Sequence, residues 1–402
     1  MNLHRKSILL LGGTGSIGSQ VCNIVAQYPD IFHVKTIICK GDNPRYIAAL
    51  AKKLRVNKIV TNNHDTNDLR ILLSQQNTSC LVNGGNDAVI DACQNKHDIC
   101  ISAISGIAAL LPLIAAIPYC ETIGLANKES IICLGDYIIK QAKKHDTKII
   151  PLDSEHNALF ELLGLDDIVK NNIDLNSIRK IIITASGGPL WKFSTKEMDQ
   201  LPQEKVLKHP TWGMGQKISI DSATMINKGF EIVEVERLFN IKVEDVEVIV
   251  NRQSLIHAGI SYKNGSTNMY FGPTTMEIPI ANFLFKKSGH QHNIENIDFA
   301  SLEGIEFNQP DDSRFPLLKF AVDCYKHSRQ ALVALNAANE STVKAYIEKK
   351  IKFTDIAKIN MIAVDEANKK NHPVETPAEL IHYHDIVSAL VYKHIFQHHQ
   401  YC

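Results

Sequence analysis

The first 150 residues alternate short β-rich runs with helical stretches, and this alternation constrains the fold more than any other feature of the chain. The runs are rich in Val, Ile, Leu and Thr, and several are apolar at successive positions. A strand that is apolar on both faces is typical of a parallel sheet covered by helices on each side. The sequence therefore predicts a doubly wound parallel α/β domain over 1–150, with strands at 7–11, 34–39, 58–60, 80–83, 99–104, 122–126 and 147–150.

A glycine-rich loop joins the first predicted strand to the first helix. It contains the pattern Gly-x-Gly-x-x-Gly from Gly13 to Gly18. Glycines let such a turn approach a pyrophosphate, which the N–H groups at the start of the following helix then bind. A purely structural turn is the alternative, but a position in the first βα unit of an alternating domain favours a Rossmann-like dinucleotide site.

The end of the second predicted strand bears on the choice of dinucleotide. NAD enzymes usually carry an acid at this place, whereas NADP enzymes bring a cation to the ribose phosphate. This chain has Lys40 where the strand ends, followed by Gly41, Asp42 and Asn43. The signal is mixed, and it favours NADP because Lys40 comes first.

The pattern changes after residue 150. Residues 151–285 combine polar segments, Gly/Pro loops and alternating strands, which indicates a catalytic α+β domain. Within it, 186–216 has glycines near both ends and lacks clear periodicity, which predicts a lid loop that carries Trp212. A polar connector at 286–316 follows, and 317–402 has the periodicity of a helical C-terminal domain.

Composition excludes some classes of partner. Lys plus Arg and Asp plus Glu each number 43, so the whole chain does not attract nucleic acid or an anionic membrane surface.

Nine cysteines without a Cys-x-x-Cys pair favour a reducing compartment, and we expect a cytoplasmic protein. The uncharged segment 101–120 is interrupted by Pro112 and Pro118, so we interpret it as a buried strand, turn and helix rather than a membrane span.

Histidines are frequent near the C-terminus but lack partnered Cys or Asp at ligand spacing. We interpret them as part of a solvated helical face rather than a metal site; they are His382, His384, His394, His398 and His399.

Three carboxylates suggest a metal site in the second domain. Asp153 and Glu155 follow the apolar run KIIPL, and an acidic helix cap is the plainer interpretation of this stretch. On an extended backbone the two side chains would project to one side and reach one ion. Glu231 and Glu234 share a helix face downstream, where like charges are unfavourable unless a cation answers them. Carboxylates without His or Cys at ligand spacing suit Mg²⁺ or Mn²⁺, with Asp153, Glu155 and Glu231 as the ligands.

A phosphate site is indicated just before Glu231. Ser222, Asn227 and Lys228 supply hydroxyl, amide and ammonium donors within seven residues. Each of them alone would be an ordinary turn or surface residue.

The ordered motifs resemble the 1-deoxy-D-xylulose 5-phosphate reductoisomerase family across nearly the whole chain. They are GGTGSIG, LANKES, LDSEHNALF, ASGGP, HPTWGMGQKISIDSATMINKGFE, RQSLIHAGI and ALNAANE. The resemblance implies a homodimer that binds NADPH and Mn²⁺ or Mg²⁺. The implied reaction rearranges the phosphosugar 1-deoxy-D-xylulose 5-phosphate and reduces the resulting aldehyde to 2-C-methyl-D-erythritol 4-phosphate.

The resemblance also implies roles for individual residues. The metal ligands would be Asp153, Glu155 and Glu231, and the catalytic residues Lys128, Glu155 and Glu231. Substrate contacts would come from Lys128, Ser154, Glu155, Ser186, His209, Trp212, Ser222, Asn227, Lys228 and Glu231. The NADPH site would be lined by Thr14, Gly15, Ser16, Ile17, Lys40, Gly41, Asn43, Asn127, Glu129 and Gly215.

The chain departs from the family pattern at three places. Gly13 stands where Ser is usual, and Lys40 to Asn43 replace the usual segment that faces the 2′-phosphate. Thr275 and Glu277 stand where Asp and Arg are common, which could alter the dimer face or a local ion pair.

Two other functions are compatible with parts of the sequence. Tyr346 and Lys350 have the Tyr-x-x-x-Lys spacing of short-chain dehydrogenases, but they lie in the helical C-terminal region, where we expect solvated residues. A nucleotide sensor without catalysis would keep the glycine loop but would have no reason to keep three carboxylates and Lys128.

Overall fold

The structure is a computed structural model that describes residues 5–171, 173–286 and 289–399, with side chains up to residue 396. Its strands are β1 (Lys6–Leu11), β2 (Phe32–Cys39), β3 (Lys58–Thr61), β4 (Leu81–Gly84), β5 (His97–Ser102), β6 (Cys120–Leu125), β7 (Lys148–Pro151), β8 (Ile178–Ala185), β9 (Val246–Val250), β10 (Ile256–Tyr262) and β11 (Thr267–Phe271).

The α-helices follow the same chain order. They are α1 (Ser16–Val25), α2 (Pro44–Leu54), α3 (Asn67–Gln75), α4 (Asn86–Cys93), α5 (Leu110–Ala116), α6 (Lys128–His145), α7 (Ser154–Leu162), α8 (Thr195–Met198), α9 (Gln203–Leu207), α10 (Gln216–Ala223), α11 (Ile226–Phe239), α12 (Glu277–Phe285), α13 (Leu317–His327), α14 (Arg329–Ile347), α15 (Phe353–Ala367) and α16 (Pro377–His399).

The chain forms two compact units, each built from segments that are not consecutive. Unit 1 comprises Met1–Ser130, Asp136–Asn172 and Thr275–Ile294, and unit 2 comprises Ile131–Gly135, Ile173–Thr274 and Glu295–Cys402. The domain boundary expected at 150 falls inside unit 1. The division into consecutive domains stays a prediction.

Unit 1 contains a parallel sheet in the order β4-β3-β2-β1-β5-β6-β7. Its central strand β1 has Ile8, Leu9, Leu10 and Leu11 fully buried, because helices cover both faces of such a sheet. The strands β2, β3 and β4 are added on one side of β1, and the strands β5, β6 and β7 are added on its other side. Ligands of open α/β sheets bind at this switch point, beyond the carboxyl ends of the strands.

The seven strands expected in the first 150 residues are confirmed, with boundaries that differ by one or two residues in most cases. The segment 101–120 is also confirmed as strand, turn and helix, since it contains the end of β5, α5 and two short 3₁₀ turns at Ile107–Ala109 and Ile117–Tyr119. Among the described residues, no helix has the length and hydropathy that crossing a bilayer would require.

Unit 2 contains a four-stranded sheet in the order β11-β10-β8-β9, with β8 and β9 parallel and β10 antiparallel to β8. Parallel strands end at the same edge of a sheet, and an antiparallel neighbour begins there. The residues after β8, the residues after β9 and the first residues of β10 therefore converge. The expected α+β region and the helical region from 317 are both confirmed, the latter as α13 to α16.

The segment expected to form a lid is only partly a loop. It contains α8, which begins with a capping box between Ser194 and Glu197, and α9. Asp199 accepts hydrogen bonds from the backbone N–H and the hydroxyl of Thr354, at 2.9 and 2.7 Å. These contacts attach the first part of the segment to α15. The lid prediction therefore narrows to the residues between α9 and α10, 208–215.

The expected solvated face of late histidines is wrong at one position. His384 is buried, with Nε2 3.6 Å from a carboxylate oxygen of Glu340, because α16 packs this side against α14. His394 is half-buried and lies 2.8 Å from Glu366. His398 and His399 lie outside the described side chains.

Candidate active site

The glycine loop after β1 is shaped by close backbone contacts. Gly12 has φ +87°, and a Cβ there would lie 2.5 Å from the carbonyl oxygen of Ala103. A Cβ at Gly18 would lie 2.2 Å from the carbonyl oxygen of Gly12, so only glycine lets α1 approach the loop this closely. Gly15 is the N-cap of α1 and supplies no capping side chain. Glycine at these positions provides the tight turn and close helix packing that the sequence predicts, and pyrophosphate binding at this loop stays a prediction.

The predicted nucleotide residues in this loop lie at the surface of unit 1. Gly15 and Ser16 are exposed, while Thr14 and Ile17 are half-buried. Thr14 and Gly15 belong to the turn between β1 and α1, and Ser16 and Ile17 are the first residues of α1, at the switch point of the sheet.

An ion pair lies at the end of β2, where the sequence signal for NAD or NADP is mixed. The Lys40 ammonium lies 2.8 Å from a carboxylate oxygen of Asp42, and both side chains are largely exposed. Gly41 between them has φ +99°, a conformation that favours glycine. The Asn43 side chain caps α2 by accepting a hydrogen bond from the Tyr46 N–H at 3.1 Å. Asp42 thus pairs with the Lys40 ammonium and offsets its charge.

The LANKES motif forms the start of α6 in unit 1. Asn127 is the N-cap, and its Oδ1 accepts the N–H of Ser130 at 2.9 Å. Its amide nitrogen donates to Glu129 Oε2 at 2.7 Å and to the Gly106 carbonyl at 3.0 Å. Asn127, Lys128 and Glu129 are all buried. The motif therefore places a buried ammonium, a carboxylate and an amide at one helix end.

Lys128 pairs with the first of the predicted metal ligands. Its Nζ lies 2.8 Å from Asp153 Oδ2, with 6% of the lysine side chain and 15% of the aspartate side chain exposed. The other aspartate oxygen lies 3.2 Å from Nδ1 of the buried His156. Burial alone would raise the pKa of Asp153, but the charges of Lys128 and His156 outweigh it and hold that pKa well below its usual range. Asp153 is therefore a carboxylate at neutral pH.

Asp153 is a helix cap as well as a candidate ligand. It is the N-cap of α7 and accepts the Glu155 N–H at 3.3 Å. Only Asp153 has the extended backbone on which the two side chains would project to one side, because α7 begins at Ser154 and already includes Glu155. The Ser154 hydroxyl donates to Glu155 Oε2. Three oxygen-bearing side chains thus stand together in the first turn of α7.

The third predicted ligand, Glu231, lies in α11 of unit 2. Lys228 Nζ lies 2.6 Å from its Oε2, and Asn227 donates to its Oε1. Glu231 and Glu234 are both almost completely buried, which confirms that they share the inner face of this helix. The predicted phosphate donors Asn227 and Lys228 therefore stand one turn before a buried carboxylate.

Ser222 and Gly215 lie at the two ends of α10. Gly215 is the N-cap of this helix and is exposed, whereas Ser222 is half-buried in its last turn. Met225 then adopts a left-handed conformation, with φ +59°, before α11 begins. Only two residues, Thr224 and Met225, therefore separate the end of α10 from the start of α11.

Ser186 and His209 form a polar pair in unit 2. Ser186 follows β8, and its Oγ lies 2.7 Å from His209 Nε2. The histidine Nδ1 accepts the N–H groups of Thr211 and Trp212, at 3.2 and 3.0 Å. Because Nδ1 is an acceptor, Nε2 carries the proton and donates to Ser186. Ser186 Oγ also accepts the Gly188 N–H, so its own hydrogen can be donated to a ligand.

Electrostatics keep His209 uncharged. Burial lowers its pKa to about 4, and the positive charges of Arg252 and Lys228 act in the same direction. A neutral imidazole is consistent with the tautomer that the hydrogen bonds require. His209 is therefore a hydrogen-bonding residue rather than a cation at neutral pH.

Three residues of the RQSLIHAGI motif belong to this edge of the sheet, although no role was predicted for them. Arg252, after β9, donates to the carbonyls of Ser186 and Gly188 and so holds the ASGGP turn. Ser254 Oγ lies 3.1 Å from Thr211 Oγ1, and the His257 ring centre lies 5.9 Å from that of Trp212. The motif itself was the only signal that the sequence offered.

The short-chain dehydrogenase pair is not arranged for catalysis. Tyr346 is buried rather than solvated, and it packs edge-on against Phe353. Burial raises its pKa to about 12, and the carboxylates Asp199 and Glu204 add to the shift. Lys350 pairs with Glu348 at 2.6 Å on the surface.

Comparison with known proteins supports one family. The model of 1-deoxy-D-xylulose 5-phosphate reductoisomerase matches residues 8–135, and two models of its C-terminal domains match residues 149–239 and 271–388. The reductoisomerase of Proteus mirabilis is 36% identical over 367 residues, which is 90% of this chain and 92% of that protein.

Solved structures agree with the sequence comparison. The reductoisomerase of Zymomonas mobilis in complex with NADPH is 33% identical and superposes with a TM-score of 0.85, covering 98% of this chain and 99% of that one. A reductoisomerase complex with NADPH, fosmidomycin and magnesium is 30% identical, with a TM-score of 0.90 and the same coverage. On these matches, the chain belongs to the 1-deoxy-D-xylulose 5-phosphate reductoisomerase family.

Proposed function

We propose that Asp153, Glu155 and Glu231 bind the divalent cation on which the reaction of this chain depends. The chain is an NADPH-dependent enzyme that converts 1-deoxy-D-xylulose 5-phosphate to 2-C-methyl-D-erythritol 4-phosphate with Mg²⁺ or Mn²⁺. The observation that carries the proposal is the group of oxygen-bearing side chains at the start of α7, where the largely buried Asp153 carboxylate stands beside Ser154 and Glu155. Oxygen ligands of this kind suit a hard cation.

The donor set of each unit supports this assignment. Unit 1 offers Asp153 and Glu155 in the first turn of α7, with the Ser154 hydroxyl between them. Unit 2 offers Glu231, a carboxylate that is 1% exposed and already pairs with a cation, the ammonium of Lys228. Neither set contains a cysteine, which disfavours a soft metal. When bound, the cation polarises the substrate carbonyl and lowers the pKa of the neighbouring hydroxyl.

Lys128 is the residue to which we assign proton transfer. Its ammonium is buried, and the contact with Asp153 at 2.8 Å fixes its position. An ammonium held in this way donates a hydrogen bond or a proton to the substrate oxygen on which charge develops. Ser154 and Glu155 bind the remaining oxygens of the substrate backbone and orient it.

The phosphate end of the substrate is assigned to donors of unit 2. Lys228 supplies the charge, Ser186, Ser222 and Asn227 supply neutral hydrogen bonds, and His209 acts through Ser186. Because His209 is uncharged, its role is to orient the Ser186 hydroxyl through the 2.7 Å contact. We assign to Trp212, in the loop 208–215, the closure that keeps water away from the reactive aldehyde.

The nicotinamide supplies hydride, and the chain supplies its orientation. We assign the pyrophosphate to the loop of Thr14, Gly15, Ser16 and Ile17, where the N–H groups at the start of α1 favour an anion. Other NADPH contacts are assigned to Lys40, Gly41, Asn43, Asn127, Glu129 and Gly215.

We further propose a cytoplasmic homodimer, and domains at 1–150, 151–285 and 317–402 joined by the connector 286–316. Thr275 and Glu277, which differ from the usual residues of the family near the start of α12, each have a partner within unit 1. Thr275 Oγ1 accepts the Glu277 N–H at 3.1 Å, and the Glu277 carboxylate lies 3.5 Å from His292.

The function is tested by an NADPH oxidation assay with the purified protein. We expect oxidation only when 1-deoxy-D-xylulose 5-phosphate and Mg²⁺ or Mn²⁺ are both present, because the rearrangement needs the cation to polarise the substrate carbonyl. Chelation should abolish the activity, and added Mn²⁺ should restore it. Undiminished turnover after exhaustive chelation would show that the metal assignment is wrong.

The Lys40–Asp42 pair predicts a weakened preference for NADPH. Asp42→Asn should lower the dissociation constant of NADPH by up to about fivefold, because an exposed ion pair contributes at most about 1 kcal/mol. NADH binding should not change, since NADH lacks the 2′-phosphate. Both constants can be measured by fluorescence titration without turnover.

Asp30→Asn is the matched control, because it makes the same charge change at another exposed position of unit 1. The gain in Asp42→Asn should also shrink at high salt, as exposed charges are screened. Equal tightening of NADPH and NADH would contradict a role of Lys40 at the 2′-phosphate.

A further inference from the structure

We propose that Asp221 and Asn339 are positioning residues that set the orientation of α10 and therefore of Ser222 at the phosphate site. The proposal rests on the substrate-binding role assigned above to Ser222. Asn339 Nδ2 donates to Asp221 Oδ1 at 2.7 Å, across 118 residues of sequence. Both side chains are almost completely buried, at 1% and 0% exposure.

The helix α10 depends on such a contact for its placement. It has only eight residues and no side-chain cap at its N-terminus. A helix of this length is marginal by itself, so tertiary contacts determine where it lies. Asp221 is an ionisable residue of α10 that is almost completely buried. Its side chain forms a hydrogen bond with Asn339 of α14.

Asp221 and Ser222 are neighbours in sequence, and this fixes the geometry of the coupling. Successive residues of an α-helix point about 100° apart. While Asp221 faces α14 and is buried, Ser222 is half-buried on a different side of α10. A rotation of α10 that broke the contact with Asn339 would also turn the Ser222 hydroxyl.

A buried polar network holds Asn339 in the matching orientation. Asn339 Oδ1 accepts a hydrogen bond from Asn360 Nδ2 at 3.3 Å, and Asn360 Oδ1 accepts from Thr342 Oγ1 at 2.9 Å. These side chains belong to α14 and α15 and are completely buried. Because its carbonyl end is occupied by Asn360, Asn339 presents its amide N–H₂ to Asp221.

Charge adds a second link between α10 and the C-terminal helices. Lys217 lies one turn before Asp221, with Nζ 2.9 Å from Asp221 Oδ2. Burial alone would raise the pKa of Glu340 in α14, but His384, Lys217 and Asn336 together hold it below its usual value. Lys217 therefore stands between two carboxylates, immediately after the loop 208–215 that ends at the N-cap of α10.

The test exchanges the two polar groups. Asn339→Asp places two carboxylates at the contact, and we expect the KM for 1-deoxy-D-xylulose 5-phosphate to rise at least about tenfold. The KM for NADPH should stay within about twofold, because the positioning acts on the phosphate site. In the double variant Asp221→Asn with Asn339→Asp, an amide again faces a carboxylate, and the substrate KM should return to within about threefold of the original.

The matched control is Gln330→Ala, also in α14. Gln330 is buried and donates to backbone carbonyls of Ala367 and Lys370. Its loss should lower the midpoint of thermal unfolding without changing the substrate KM. Amide hydrogen exchange across 216–223 should accelerate in Asn339→Asp and not in Gln330→Ala. If Asn339→Asp does not fold, Asn339→Ala gives the same test with a smaller expected rise, about fivefold.

The outcomes separate this inference from the proposed function. Ser222→Ala is measured in parallel and should raise the substrate KM by itself. If it does so while Asn339→Asp behaves like Gln330→Ala, the positioning role is wrong and the phosphate site stands. Recovery of unfolding temperature but not of KM in the double variant would also overturn the positioning role. If Ser222→Ala has no effect, the assignment of Ser222 fails, and the inference fails with it.

Discussion

Asp153→Asn should lower kcat by at least about a thousandfold and leave NADPH binding unchanged. The carboxylate is held ionised next to Lys128, and an amide at this place carries no charge for a cation. Glu231→Gln should have the same effect, because we propose Glu231 as the third ligand of the cation. The measurements are kcat at saturating Mn²⁺, NADPH titration, and Mn²⁺ binding followed by electron paramagnetic resonance.

Each of these variants has a control on its own helix. Glu161→Gln removes a carboxylate that pairs with Lys286 near the other end of α7. Glu236→Gln alters a residue of α11 whose side chain accepts the Val243 N–H, a bond that the amide can still accept. Both controls should bind Mn²⁺ normally. Loss of NADPH binding in Asp153→Asn would indicate a folding defect instead of a missing ligand.

Local features of the fold were predictable from the sequence because local residues determine them. The central strands of unit 1, such as β1, are short runs that are buried on both faces, and such runs are visible as continuous apolar stretches. The glycine loop was predictable for the same reason at Gly18, where a side chain would meet the backbone of Gly12 six residues earlier. In both cases the constraint lies within a few residues of the pattern.

Features that depend on distant partners were not predictable. The segment after ASGGP has no periodicity, yet Thr354 fixes it through Asp199, which lies 155 residues earlier. His384 was expected to be solvated because its partner Glu340 belongs to another helix. A hydrophobic pattern indicates which face of a helix is buried, but not which polar group of another helix meets it.

The candidate site shows the same division between local and distant determinants. The cap at Asp153 and the shared face of Glu231 and Glu234 follow from short spacings. The role of Arg252 does not, because its targets are backbone carbonyls 64 and 66 residues away. Only the topology of the sheet, with β8 and β9 ending at the same edge, brings it to the ASGGP turn.

Lys228→Met should raise the KM for 1-deoxy-D-xylulose 5-phosphate by about 10- to 100-fold, the range expected for a lost hydrogen bond between charged groups. Lys228 is 6% exposed and stands at the start of α11, so no other group of this helix turn replaces its charge. The decisive comparison is with 1-deoxy-D-xylulose, which lacks the phosphate. The variant should not lower kcat/KM for that substrate, because the interaction that it removes is already missing.

Lys242→Met is the matched control, since it makes the same change at an exposed position of unit 2. An equal fall in kcat/KM for the phosphorylated and unphosphorylated substrates would contradict a phosphate-specific role. That result would indicate that Lys228 acts through its 2.6 Å contact with Glu231, by holding the carboxylate in place. Mn²⁺ binding would then weaken in Lys228→Met, whereas a lysine that serves only the phosphate leaves Mn²⁺ binding unchanged.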